Sequence, residues 1–174
     1  MYIMDNLFQR MIRAAKLDVS LYEEVEADKT ALGQSMVVVI LSSVAAGIGT
    51  ITVRGFSGII LGTILALVGW LIWAYLIYII GTKLFPAPET KADHGELLRT
   101  IGFSSSPGVV RILGIIPGLG TIIMLLAGIW MLVTMVIAVR QALDYTSTPR
   151  AVGVCVIGWI IQGVVFGIVY AVLK

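Results

Sequence analysis

Charged side chains are scarce in this sequence. Only 13% of the 174 residues are charged and 59% are hydrophobic, whereas a soluble domain carries about 25% charged residues. The mean hydropathy is +1.01. No soluble core of this size buries so much apolar surface, so the composition predicts one compact helical membrane domain. The 19 glycines fit such a domain, because small residues let membrane helices approach closely.

Cysteine and histidine are almost absent as well. The chain has one cysteine, Cys155, and one histidine, His94, which excludes a disulfide framework and offers no histidine cluster for a metal. Ser104, Ser105 and Ser106 form a hydroxyl cluster, but no base lies near them in the sequence. An enzyme needs a nucleophile or a metal together with a base. We therefore predict no catalytic residues, no metal and no cofactor, and no nucleic-acid partner.

Residues 1–30 form a predicted cytosolic and interfacial segment. Residues 1–17 place apolar side chains at helical spacing on one side and Arg10, Arg13 and Lys16 on the other, which is typical of an amphipathic helix lying on the membrane surface. The cations then face lipid headgroups or simply solvent. Residues 18–28 are acidic, which indicates an exposed connector. Six acids and no basic, apolar leader in this segment argue against a cleavable signal peptide.

Residues 31–174 form the predicted membrane domain, and the fold class is an all-α integral membrane protein with five transmembrane helices. The predicted spans cover residues 31–53, 57–85, 97–116, 119–139 and 150–173. The third is broken at residues 104–106. As an α-helix, residues 107–116 extend only about 15 Å, which is half of a hydrocarbon layer about 30 Å thick. The third span therefore either begins near Leu97 and is broken, or dips into a thinned membrane.

The stretch at residues 103–120, FSSSPGVVRILGIIPGLG, combines a helix break, a buried cation and a turn. Ser104, Ser105 and Ser106 are predicted to satisfy backbone groups freed at the break, and Pro107 takes the first helical position after it. A hairpin turn then leads to the fourth span, and its residues are Pro117, Gly118 and Gly120.

Arg111 lies where charge is expensive. We expect its guanidinium to lie within reach of the inner headgroups and to contact lipid phosphate. Arg99 and Arg140 are further candidates for contacts with lipid or a partner. Two alternatives stay open for Arg111: a transport or regulatory site, and a buried ion pair with Glu96 or Asp144.

Small residues recur in the second and fifth spans at spacings typical of close helix contacts. The glycines predicted to pack there are Gly58, Gly62, Gly69, Gly163 and Gly167. Gln162 indicates an inward face, because a glutamine in hydrocarbon needs a partner. The aromatic residues that crowd the far half of the second span predict interfacial anchors, with an aromatic-lined ligand site as the alternative; they are Trp70, Trp73, Tyr75 and Tyr78.

The distribution of charge favours five spans with a cytosolic N-terminus. Leaving Arg111 aside, that topology places nine of the other eleven Lys and Arg residues inside and two outside, in agreement with the positive-inside rule. A re-entrant third segment would give eight and three. All ten acidic residues fall on the inner side in the five-span arrangement, so recognition in water is expected there.

Three stretches resemble the Yip (Ypt-interacting protein) domain family in its short prokaryotic form. They are YEEVEADKTALGQS, GELLRTIGFSSSPGVVRILGIIPGLG and VRQALDYTSTPRAVGVCVIGW. The resemblance implies five spans, a cytosolic N-terminus and the cytoplasmic membrane of a prokaryote. Eukaryotic members act in vesicle traffic, bind prenylated Rab-type GTPases and associate with related proteins. Their DLYGP-type motif and long N-terminal region are absent here, so Rab binding is not implied.

These observations together predict a non-enzymatic membrane protein. We expect it to organise the membrane or to bind protein partners, as an accessory subunit of a larger membrane complex. Its expected partners are the lipid bilayer with anionic headgroups, and other membrane proteins or further copies of itself. The alternative function is a small-solute transporter or channel component that uses the broken third span and Arg111.

Overall fold

All regular secondary structure in the described part of the protein is helical. This computed structural model describes the backbone of residues 2–172 and the side chains of residues 6–53, 55–165 and 171. Within those residues there is no strand, so the predicted all-α class is confirmed. The α-helices are α1 (Tyr2–Ala15), α2 (Val19–Ala27), α3 (Leu32–Gly49), α4 (Ile51–Ile79), α5 (His94–Ser104), α6 (Gly120–Ala142) and α7 (Thr148–Val172).

Four helical stretches are long and apolar enough to cross a membrane. They are Lys29–Gly49, Gly55–Leu84, Gly120–Ala142 and Thr148–Val165, and they correspond to the predicted first, second, fourth and fifth spans. The first ends at Gly49 and not at residue 53. Gly55 then has a φ of 66°, a left-handed conformation that glycine adopts without strain. The predicted end of the fifth span at residue 173 lies outside the described residues, as do Met1 and Lys174.

The third predicted span is broken where the sequence indicated. Helix α5 ends at Ser104, and the chain continues as a 3-10 helix at Ser106–Ile115. Ser104 Oγ donates to the Ile101 carbonyl at 2.7 Å, and Ser106 Oγ donates to the Phe103 carbonyl at 2.6 Å. The hydroxyl groups therefore satisfy backbone carbonyls at the break. We call residues 94–115 the broken segment.

The broken segment runs parallel to α3 along its length. Contacts between the two progress in the same direction along both chains: Gly102 lies against Ser35, Gly108 against Ser42, and Gly114 against Gly49. A 3-10 helix rises about 2.0 Å per residue, against about 1.5 Å for an α-helix. Its ten residues therefore extend about 20 Å, and the whole broken segment is long enough to follow the bundle from end to end.

The described charges concentrate at the end of the bundle where α2 meets the start of α5 and the end of α6, which we call the polar end. The predicted connector at residues 18–28 is in fact helical. Leu21, Tyr22 and Val25 are fully buried on α2, so this stretch forms part of the protein interior and is not a solvated connector. Asp18 accepts a hydrogen bond from the Ser20 amide and caps α2.

Helix α1 packs against α2, α5, α6 and the 3-10 helix. Leu7, Met11 and Ala14 are buried in one cluster with residues of α2 and α5, whereas Phe8 and Ile12 remain 52% and 54% exposed. The helix predicted at residues 1–17 is therefore present, with apolar side chains on two sides.

Two of the three predicted surface cations, Arg10 and Arg13, form ion pairs within the protein, whereas Lys16 is exposed just after α1. Arg10 pairs with Glu24 at 2.8 Å and Asp28 at 2.9 Å. Arg13 pairs with Asp18 at 2.8 Å and Glu24 at 2.5 Å. The acids of the predicted connector are thus the counter-charges of α1.

The close helix contacts in the described chain fall on other glycines than the predicted ones. A Cβ atom added at Gly62, Gly69 or Gly163 would meet no atom of the described chain within 4 Å. Gly58 borders the same open space as Gly62, and Gly167 lies among residues whose surroundings are not described. The spacing in α4 marks a face that lines open space, and the close contacts fall on other glycines: Gly47, Gly49, Gly81, Gly102, Gly108, Gly114 and Gly158.

Alanine substitution at two helical glycines tests this assignment. In Gly102→Ala the new Cβ would lie 2.6 Å from Ser35 Cβ, and we expect the free energy of unfolding to fall by about 1–3 kcal/mol. Gly128 has no atom within 4 Å of its Cβ position, so Gly128→Ala gains only helix propensity, about 1 kcal/mol. Thermal unfolding in detergent measures both. Equal stability losses would contradict the close contact between α3 and α5.

Candidate functional site

Arg111 lies on the 3-10 helix and extends its side chain along α3. Its Nη2 donates to Ser42 Oγ at 2.7 Å and to the Ser42 carbonyl at 3.3 Å. Its Nε donates to the Gly108 carbonyl at 3.1 Å. Ser42 is the eleventh of the 18 residues of α3, so the guanidinium is held midway along that helix, inside the bundle.

Arg111 therefore lies deeper in the bundle than its predicted position near the inner headgroups. That prediction counted the span from Pro107, whereas the buried helix α5 precedes it, so Arg111 is 17 residues beyond the start of the broken segment at His94. The alternative ion pair is also excluded in this structure. Among the described residues no carboxylate lies within 4 Å of Arg111, because Glu96 caps α5 and Asp144 accepts from the Lys91 amide.

Two cavities meet at Arg111. The tryptophan cavity has a volume of about 340 Å³ and is walled by α3, α4, α6, α7 and the broken segment. Its wall includes Ser43, Gly69, Trp70, Trp73, Arg111, Trp159 and Gln162. The glycine cavity has a volume of about 290 Å³ and includes Ser43, Gly58, Gly62, Arg111 and Met124. Arg111, Ser43 and Ala66 line both, so the guanidinium borders two adjoining spaces.

The tryptophans of α4 are interior residues and not interfacial anchors. Trp70 and Trp73 are each 6% exposed. Trp70 Nε1 donates to the Leu98 carbonyl at 3.0 Å, while the buried Nε1 of Trp73 has no acceptor among the described residues. Trp73 stacks on Trp159, with ring centroids 6.1 Å apart. Gln162 lines the same cavity, which agrees with the inward face expected for it.

Arg99 and Arg140 each donate hydrogen bonds to backbone carbonyls of a neighbouring segment of the chain. Arg99 is 5% exposed; its Nε donates to the Val25 carbonyl at 2.9 Å and its Nη2 to the Glu26 carbonyl. Arg140 donates to the carbonyls of Tyr145 and Thr146. Because these guanidinium groups tie α5 to α2 and α6 to the loop after it, their first role is structural. Any contact with lipid or a partner is secondary to these bonds.

An acidic cavity lies at the polar end, and the sequence did not reveal it. It has a volume of about 550 Å³, and its carboxylates come from Glu23, Glu26, Glu96 and Asp144. These residues are far apart in the sequence. The only sequence feature that pointed to them was that all acidic residues fall on the inner side of the predicted topology. Burial, together with the charges of Glu96 and Asp144, raises the pKa of Glu26 to about 7. No group of metal-ligating side chains is found in the described part of the chain.

The fold and these cavities define an all-helical, multi-pass membrane protein with a buried arginine. Its described residues include no group of side chains that could hold a metal ion. The comparison with protein families then places it more closely. The Yip1 domain model matches residues 22–169, so the chain belongs to the Yip1 domain family. A search of curated proteins finds no match to the chain, and a search of solved structures finds none either.

The raised pKa of Glu26 predicts a pH-dependent stability. The unfolded chain releases the Glu26 proton near the ordinary value of 4.5, whereas the folded protein keeps it to about 7. The free energy of unfolding therefore falls as pH rises between those values. We expect the unfolding temperature in detergent to be lower at about pH 7.5 than at about pH 5.

Glu26→Gln should reduce this difference, because an amide does not titrate. Glu89→Gln, at an exposed loop position, is the matched control and should retain the wild-type dependence. The contribution of Asp18, whose hydrogen bonds lower its pKa to about 2, is lost only under more acidic conditions. An unchanged pH profile in Glu26→Gln would contradict this assignment.

Proposed function

We propose that this protein is a non-enzymatic membrane protein that organises the bilayer by holding an amphipathic helix in one leaflet. It crosses the cytoplasmic membrane of a prokaryote five times, with its N-terminus in the cytosol. The observation that carries this proposal is the fixed position of α1. Phe8 and Ile12 stay more than half exposed on a helix that has already buried its other apolar side, and membrane-surface helices bury such residues in lipid.

Helix α1 is held in place and does not depend on lipid for its position. The side chain of Arg10 is 8% exposed and bonded to Glu24, Asp28 and Gln34. Arg13 adds two further ion pairs. Charge-assisted hydrogen bonds at a largely buried arginine are among the stronger polar contacts in proteins. The outer apolar side of α1 is consequently presented in one fixed orientation.

The end of α1 also lies beside a spanning helix. Trp130 Nε1 donates to the Ala15 carbonyl at 2.8 Å, and Trp130 lies 12 residues before the end of α6 at Ala142. The C-terminus of α1 is therefore level with the interior of the bundle and not stacked above its end. A helix at that depth occupies space between the headgroups and acyl chains of one leaflet.

Partner binding belongs to the same proposal. The acidic cavity presents four carboxylates at the polar end, which suits a partner with basic side chains. We propose that the protein acts there as an accessory subunit of a larger membrane complex. Membership in the Yip1 domain family supports a membrane role.

A small-solute transporter is the second candidate. It is favoured by the two cavities that meet at Arg111, midway along α3. A transporter must open each cavity to a different side of the membrane. Solute-dependent currents from reconstituted protein that vanish in Arg111→Gln would favour transport over a purely organising role.

Membrane remodelling tests the first proposal. Protein reconstituted at a fixed protein-to-lipid ratio should reduce liposome diameter, measured by electron cryomicroscopy, because α1 expands one leaflet. The double variant Phe8→Ser/Ile12→Ser should lose most of this effect. The control Val53→Ser/Phe56→Ser removes two exposed apolar side chains at the opposite end and should retain it. Equal remodelling by both variants would refute the role of α1.

Labelling of introduced cysteines tests the five-span topology. In a background without Cys155, single cysteines at positions 1 and 91 should react from the cytosolic side and one at position 174 from the other side. The parallel run of the broken segment along α3 supports this expectation. Reaction of positions 1 and 174 from the same side would exclude five spans.

A further inference from the structure

We propose that the tryptophan cavity is a binding site for a monocarboxylate with an apolar body. The inference goes beyond the membrane-organising role and does not depend on it, since α1 contributes no residue to the cavity. It rests on an unused hydrogen-bond donor of Arg111, on the charge of the residues around the cavity and on the open space beside Gly69.

Arg111 keeps a hydrogen-bond donor at this cavity that has no acceptor in the described part of the protein. Its Nε and Nη2 donate to Gly108 and Ser42, and its Nη1 makes no hydrogen bond to a described residue. Nη1 is not among the fully buried atoms without a partner, so it can donate to an oxygen acceptor of a ligand in the cavity. Trp73 Nε1 is also unpaired, but it is fully buried and does not face the open space.

The charged residues around the cavity favour a ligand with a single negative charge. Neither cavity is lined by an acidic residue, so Arg111 leaves a net charge of one, compensated only by hydroxyl and carbonyl dipoles. A monoanion neutralises that charge, whereas a phosphate dianion would introduce an excess negative charge in an apolar setting. The two N–H groups of Arg111 Nη1 remain free to donate to carboxylate oxygen.

The rest of the cavity suits an apolar group. Its remaining wall is mainly tryptophan, methionine and aliphatic side chains, and its volume of about 340 Å³ lies within the range of small-molecule sites. Gly69 lines this space, and a Cβ there would meet nothing within 4 Å. The ligand is therefore a carboxylate on an apolar body, either a fatty acid from the bilayer or a water-soluble organic acid.

Intrinsic fluorescence provides a direct test, because three of the four tryptophans, Trp70, Trp73 and Trp159, line the cavity. The full chain, stripped of lipid in detergent, is titrated with a dibrominated stearate, whose bromine atoms quench nearby tryptophan. Its methyl ester enters micelles as well but has no charge. We expect the acid to quench at a concentration lower by about tenfold or more. Equal quenching by acid and ester would overturn the proposal.

Variants locate the site. Arg111→Gln should abolish the difference between acid and ester. Gly69→Leu should weaken quenching, because it places a side chain in the cavity at a position where a Cβ meets no atom within 4 Å. Gly128→Leu is its matched control, since Gly128 also has open space at its Cβ position but does not line the cavity. If Arg111→Gln fails to fold, the Gly69 and Gly128 pair still decides, and identical quenching in both would overturn the proposal.

Competition by hexanoate distinguishes the two sources of the carboxylate. Relief of quenching by hexanoate would assign the site to water-soluble acids. If hexanoate does not relieve quenching, while the acid still quenches better than its ester, the site is assigned to fatty acids of the bilayer. Either result retains the carboxylate site. Neither result depends on liposome remodelling, so failure of the membrane-organising proposal would leave this one standing.

Discussion

The close contact between α3 and the broken segment is the constraint on which the rest of the structure depends. Glycine lies on one or both sides wherever the two chains meet most closely, at Gly102, Gly108, and Gly114 with Gly49. A 3-10 helix is narrower than an α-helix, which helps the backbones approach over ten residues. Arg111 emerges within this contact, so its side chain has room only along α3. Its hydrogen bonds to Ser42 and the two cavities beside it result from that placement.

The sequence was sufficient to predict the helix break but not the 3-10 helix after it. Ser104 to Pro107 carry local signals, because serine satisfies freed carbonyls and proline favours a new helical start. The 3-10 conformation depends instead on tertiary contacts, such as that between Arg111 and Ser42, 69 residues apart. Counting the span from Pro107, although the buried helix α5 precedes it, placed Arg111 too close to the polar end. The turn before α6 was predictable, because Gly118 adopts a φ of 82° that suits glycine.

Periodicity showed which residues share a face, but not what lies opposite that face. Gly62 and Gly69 share a face of α4 that lines cavities rather than another helix. Trp70 and Trp73 lie in the far half of the predicted second span, where anchors were expected, yet the Leu98 carbonyl of α5 accepts a hydrogen bond from Trp70 inside the protein. The ion pairs of Arg10 join residues 14 and 18 positions apart, a separation that no helical repeat encodes. These features required the assembled structure.

The broken segment also constrains how the protein is synthesised. Its two helices, of 11 and 10 residues, are each too short to cross a membrane, and eight of the eleven residues of α5 are buried. Its partner α3 precedes it by more than 60 residues at the bond between Ser35 and the Arg99 carbonyl, with all of α4 in between. An emerging chain that lacks α3 and α4 in the bilayer therefore has no surface on which this segment is stable. We infer that α3 and α4 enter the bilayer first and that the broken segment then packs against them.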